Sequence, residues 1–104
     1  MNVKSRAQRF AIQMNLRYRL NGESKWRKGT TENISRSGVL FRGEGIVENN
    51  TILDLRLQLP DEIHGVRSAE VLCRGVVARS EHPQGAEASP ALASTIAQYR
   101  FIRP

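Results

Sequence analysis

Ala11-Ile12-Gln13-Met14-Asn15-Leu16-Arg17-Tyr18-Arg19-Leu20-Asn21-Gly22 decides the fold class. Ile12, Met14, Leu16, Tyr18 and Leu20 fall on one side of an extended chain, and Gln13, Asn15, Arg17 and Arg19 on the other. Alternation with a period of two is the mark of a half-buried strand, because successive side chains of a strand point to opposite faces. Asn21-Gly22 follows at once and is a strong hairpin signal, since both residues accept positive φ. The return strand is therefore expected from about Lys25 to Ile34. Gly29 within it predicts a bulge or a close approach by other backbone.

The same reading carries on downstream. A polar turn at Asn33–Gly38 leads into a short apolar strand, Val39–Arg42, ended by Gly43-Glu44-Gly45. Leu53, Leu55, Leu57 and Leu59 alternate with Asp54, Arg56 and Gln58 in a second clear strand, followed by a turn at Pro60-Asp61-Glu62. Ala69–Ser80 is rich in β-formers but alternates less cleanly, which predicts burial on both faces or a bulge near Gly75. Residues 81–91 read as a loop. Leu92–Ile102 reads as the last strand, with Thr95, Ala97, Tyr99 and Phe101 on one side. Six strands, short connections and little or no helix predict an all-β antiparallel barrel, whose closure removes exposed edges. Residues 1–10 are expected to form a flexible basic leading segment, and residues 11–104 the barrel domain.

Charge is distributed unevenly. Residues 1–42 hold ten Lys/Arg and two Glu, and residues 43–104 hold six Arg and eight Asp/Glu, within a total of +6. Such a basic half is either a solvated surface or a positive field that draws in a phosphate ligand or a polyanion. One cysteine, no secretory leader and no apolar run of about 18 residues predict a cytoplasmic protein without membrane insertion.

Catalysis has little to stand on. His64 and His82 lie far apart and make no metal spacing with Cys73, so neither a metal site nor a cofactor is expected. Cys73 sits within a strand, where a thiol is a small buried apolar group. The carboxylates cluster only at Asp61-Glu62, in a turn, and no phosphate-cradling glycine loop is present. The chain reads as a binding protein and not as an enzyme.

Two places can bind. Arg6 and Arg9 sit in the basic segment Lys4-Ser5-Arg6-Ala7-Gln8-Arg9. Arginine pairs bidentately with phosphate and stacks on flat rings. The turn Asn33-Ile34-Ser35-Arg36-Ser37-Gly38 can present an amide, hydroxyls and backbone N–H groups, and Gly38 permits positive φ or close approach of a ligand. On residue types alone the plainer reading of the turn is a hairpin connection whose Asn and Ser cap their own backbone.

Asn33-Ile34-Ser35-Arg36-Ser37-Gly38, with the apolar strand behind it, resembles the D/N-x-S-x-x-G motif of PilZ domains. The first strand ending in Arg17-Tyr18-Arg19 and the later Leu53-Asp54-Leu55-Arg56-Leu57-Gln58-Leu59-Pro60 are similar as well. The resemblance implies a six-stranded antiparallel barrel that binds the bacterial second messenger cyclic di-GMP. The family's companion motif, R-x-x-x-R before the first strand, is altered. With its second arginine on Arg9, Ser5 stands at the first, flanked by Lys4 and Arg6. By this resemblance Arg6 and Arg9 would hold phosphates and guanine faces. Asn33, Ser35 and Gly38 would line the base and ribose side, and Arg36 would add a cation.

Three functions stay open at this point. The first is a stand-alone receptor that relays cyclic di-GMP to a protein partner. The second is an interaction adaptor of the same fold that binds no nucleotide. The third is a small basic barrel for nucleic acid, which needs stacking aromatics that only Tyr18 and Trp26 could supply in the basic half, with Tyr18 facing the core.

Overall fold

The computed structural model describes residues 8–58, 70–83 and 89–102. Seven strands run through them: β1 Asn15–Leu20, β2 Arg27–Ile34, β3 Gly38–Arg42, β4 Ile52–Gln58, β5 Glu70–Glu81, β6 Ala91–Thr95 and β7 Ala97–Ile102. All pairings are antiparallel. The order β4-β1-β2-β3-β6-β5 is closed by a further β4–β5 pairing, which makes a six-stranded barrel. β7 continues the line of β6 along β5, so the last barrel strand is one extended run interrupted at Ile96.

The two strands with the cleanest alternation meet through their apolar rows. Leu16 lies opposite Leu57, Tyr18 opposite Leu55 and Leu20 opposite Leu53. Leu16, Tyr18, Leu53, Leu55 and Leu57, with Val39, Phe41, Val71, Val77 and Leu92, lie in the core of the barrel, and the half-buried Leu20 packs against it. Direct cross-strand neighbours share a face, so one register places both rows inside at once. The rings of Tyr18 and Phe41 pack 5.0 Å apart at a tilt of 59°. Tyr18 is fully buried, and its hydroxyl accepts the Glu44 N–H at 2.7 Å, which answers its one polar atom.

Cys73 faces the same interior, and desolvation raises its thiol from the ordinary 9.0 to about 11. The folded state thus favours the neutral thiol. Its contribution to stability is complete below pH 9.0 and is lost as pH rises towards 11. A disulfide-exchange reagent at about pH 8 is expected to label Cys73 only in denatured protein, because the thiolate is the nucleophile. Rapid labelling of native protein would contradict its burial.

Several local expectations need correction. Asn21-Gly22 does not close a two-residue hairpin. Glu23 N–H bonds the Leu20 carbonyl at 2.9 Å and β2 begins only at Arg27. Gly22 alone takes positive φ, 93°, at the third turn position, where a type II turn requires it. The connection stays wide because its side chains are engaged elsewhere: Glu23 pairs with Arg27 at 2.9 Å, and Trp26 lies under the Arg19 guanidinium at 4.4 Å. Gly29 keeps regular register with Leu16. It marks a close approach, since a Cβ there would lie 2.9 Å from the Arg42 carbonyl oxygen. The bulge of β2 falls instead between Thr31 and Asn33.

The last strand departs furthest from its reading. Gln98 adopts φ 56°, and the β5–β7 register shifts between Leu72 and Arg74. Ala97 lies opposite Arg74, on the outer side, whereas Phe101 lies opposite Val71, which faces in. The extra residue reverses the alternation, so Thr95 and Ala97 do not share a face with Phe101.

Candidate ligand-binding site

The leading segment is stitched to the end of β2. Phe10 and Ile34 exchange both backbone hydrogen bonds, at 2.8 and 2.9 Å. Further in, the Thr31 hydroxyl accepts the Met14 N–H at 2.8 Å and donates to the Ile12 carbonyl at 2.5 Å. Thr31 is fully buried, so this side chain holds residues 12–14 against β2 where the ladder is bulged. The stitching brings two residues 24 apart in sequence together: Arg9 Nε donates to Asn33 Oδ1 at 2.7 Å. The two terminal nitrogens of this exposed side chain bond no described residue. Arg6 lies outside the described residues.

The turn after Asn33 is built by Ser35. Its N–H donates to the Gly38 carbonyl at 2.8 Å, closing the hairpin between β2 and β3. Its buried hydroxyl accepts the N–H groups of Ser37 and Gly38, each at 3.2 Å. This is the self-capping use of serine in a tight turn. Gly38 is not in the positive-φ region. A side chain there would press on the Ser94 carbonyl oxygen at 3.2 Å, so close packing against β6 is what favours glycine. The Ser37 carbonyl accepts the Ile96 N–H at 3.0 Å, which braces the turn from the break between β6 and β7. Arg36 is exposed at the tip, without an ion pair to a described residue.

Register extends the site beyond what the sequence singled out. Asn33 is opposite Leu40, Leu40 opposite Ala93, and Ala93 opposite Arg79. A row on the outer face thus runs from Arg9 through Asn33, over the half-buried Leu40 and Ala93, to the exposed Arg79. Two cations flank a shallow apolar floor beside a turn rich in hydroxyls. Arg79 also pairs with Glu81 at 3.3 Å, both well exposed. Nothing local marks Arg79 in the sequence; only the pairing of three strands brings it into the row. Chemically, such a face suits a flat polar ring over the floor with an anionic group at the arginines. No group of three or more His, Cys, Asp or Glu that could hold a metal occurs among the described residues. No helix among them is long and apolar enough to cross a membrane.

Comparison with known proteins yields a family match and a match in fold. A family model for the PilZ domain matches residues 4–87, which takes in the basic segment and the whole turn. Among solved structures, the Bacillus subtilis inhibitor of motility MotI/DgrA superposes with a TM-score of 0.70 at 17% identity, over 95% of this chain and 44% of that one. The chain therefore spans less than half of that protein's length. A search of curated proteins returned no match.

Proposed function

Because the chain belongs to the PilZ domain family, we propose that it is a cytoplasmic receptor for cyclic di-GMP that relays the nucleotide's presence to a partner protein. One observation carries the reading: the 2.7 Å bond that seats Arg9 on Asn33 and joins the basic segment to the motif turn. Arg9 binds a ligand phosphate through its terminal nitrogens, with Arg6 as the neighbouring cation of the same segment. Asn33 and the turn face the base and ribose, Leu40 and Ala93 underlie a guanine face, and Arg36 and Arg79 add positive charge. Ser35 and Gly38 act through the shape of the turn.

The test is a calorimetric titration with cyclic di-GMP at near-physiological salt, with GMP as control. Binding of the dinucleotide alone at micromolar or tighter affinity is expected. Ligand at a hundredfold excess over Kd then adds about 2.7 kcal/mol to the folded state. For a domain of this size that raises the thermal midpoint by roughly 10 °C or more. Ser5 at the first arginine position of the family motif favours a second reading, an adaptor of the same fold that binds no nucleotide. The absence of both heat and stabilisation at saturating ligand would decide for it.

A further inference from the structure

A second charged face lies away from the motif turn, on the outer surface of β2, β1, β4 and β5. The register aligns Lys28 with Arg17 and Arg17 with Arg56. Adjacent antiparallel strands set such residues about 5 Å apart, so three cations stand in a row about 10 Å long. They line a groove of about 260 Å³ with Asn15, Gln58 and Glu70. Glu70 is the one carboxylate of that lining, and Arg56 already holds it, Nη2 to Oε1 at 2.8 Å. Arg56 Nε is itself buried without an acceptor among the described residues. Arg17 and Lys28 are exposed, and neither side chain has an ion pair among the described residues. Among the described residues of its lining, the groove thus sets three cations against one carboxylate.

We propose that this groove is a docking site for an acidic segment of a partner protein, whose carboxylates lie along Lys28, Arg17 and Arg56. Carboxylates two residues apart on an extended segment are separated by about 7 Å, so two of them fit within the row. Two features set a protein partner above nucleic acid. Trp26, the neighbouring aromatic, is covered by the guanidinium of Arg19 at 4.4 Å and approached by that of Arg56 at 5.3 Å, so its ring is engaged and not offered to a base. Glu70 sits inside the groove and opposes a backbone charged at every unit, whereas an acidic peptide can set a neutral side chain beside it. The inference goes beyond the nucleotide reading and stands without it, since no nucleotide enters its test.

The probe is a fluorescein-labelled deca-glutamate peptide, followed by anisotropy, with labelled deca-thymidylate in parallel. Two double variants remove the same charge from opposite faces: Arg17→Glu/Lys28→Glu in the groove and Arg36→Glu/Arg79→Glu beside the motif turn. The groove variant is expected to weaken peptide binding about tenfold or more, and the other by no more than about threefold. Arg56→Lys, which keeps the charge but loses the fork of donors, is expected to weaken binding several-fold. Equal losses from the two reversals would reduce the effect to net charge and overturn the proposal. Tighter binding of deca-thymidylate than of peptide would overturn it in favour of nucleic acid, and failure of the parent to bind the peptide would overturn it outright. Thermal midpoints establish that the variants are folded. Should a reversal unfold the protein, Arg17→Gln/Lys28→Gln and Arg36→Gln/Arg79→Gln make the same comparison at half the charge change.

Discussion

Arg9→Ala is expected to lower the affinity for cyclic di-GMP by one to two orders of magnitude while leaving thermal stability unchanged. The side chain is exposed and its only hydrogen bond to a described residue is the one to Asn33, so its removal costs the fold little. A charge-assisted hydrogen bond lost from the complex is worth about 1.5–3 kcal/mol, and each 1.4 kcal/mol is roughly tenfold in Kd. Asn33→Ala tests the seating separately. It keeps the guanidinium but frees it, so a smaller loss is expected, and in the double variant the two losses should fall short of adding. Ser5→Arg restores the R-x-x-x-R spacing and is expected to tighten binding. If Arg9→Ala and Ser5→Arg both titrate like the parent, the assigned face is wrong.

Gly75→Ala is expected to be the most disruptive single-methyl change in the barrel. A Cβ at this position would run into the Thr95 carbonyl and the Ser94 hydroxyl, far inside van der Waals contact. The carbonyl belongs to backbone that is held on its other side by β3, Gly38 being opposite Thr95, so it cannot yield alone. The crossing is tight because regular pairing lapses at the break: Val76 N–H donates to Thr95 Oγ1 at 2.9 Å. Overpacking a core by one methyl costs about 1–3 kcal/mol when side chains can adjust, and here backbone must move, so a loss of about 3 kcal/mol or more is expected. With a urea slope of about 1–2 kcal/mol per molar the midpoint falls by about 1.5–3 M. Gly45→Ala is the matched control. Its Cβ meets nothing within 4 Å and its φ is not positive, so a change within about 0.5 kcal/mol is expected. Comparable midpoints for the two variants would mean that β6 does not cross β5 this closely.

The strands that were legible in the sequence are those that bury one face only. Residues 12–20 and 53–57 each carry an unbroken apolar row, and one-sided burial imposes that period directly. The last strand was legible as β-structure but not in its phase. The bulge at Gln98 is a backbone adjustment that no side-chain pattern announces, and it reversed the face of Phe101. The turn at Asn21-Gly22 was located by type, yet its width depends also on Trp26 packing against Arg19 of β1 and Arg56 of β4, which is tertiary information. The site divides in the same way. Arg9, Asn33, Ser35, Arg36 and Gly38 stood out through a local motif and a family resemblance. The bond between Arg9 and Asn33 required Phe10 to pair with Ile34, and Arg79 entered the row only through the registers of β3, β6 and β5. Arg6 falls outside the described residues.

The 3.0 Å bond from the Ile96 N–H to the Ser37 carbonyl has a practical use. An amide proton exchanges with solvent only when its hydrogen bond opens. The Ile96 amide is therefore a clock for the motif turn, placed on a different strand. When exchange proceeds by local opening of the turn, a ligand that steadies the turn slows that clock, and one that binds elsewhere leaves it at its free rate.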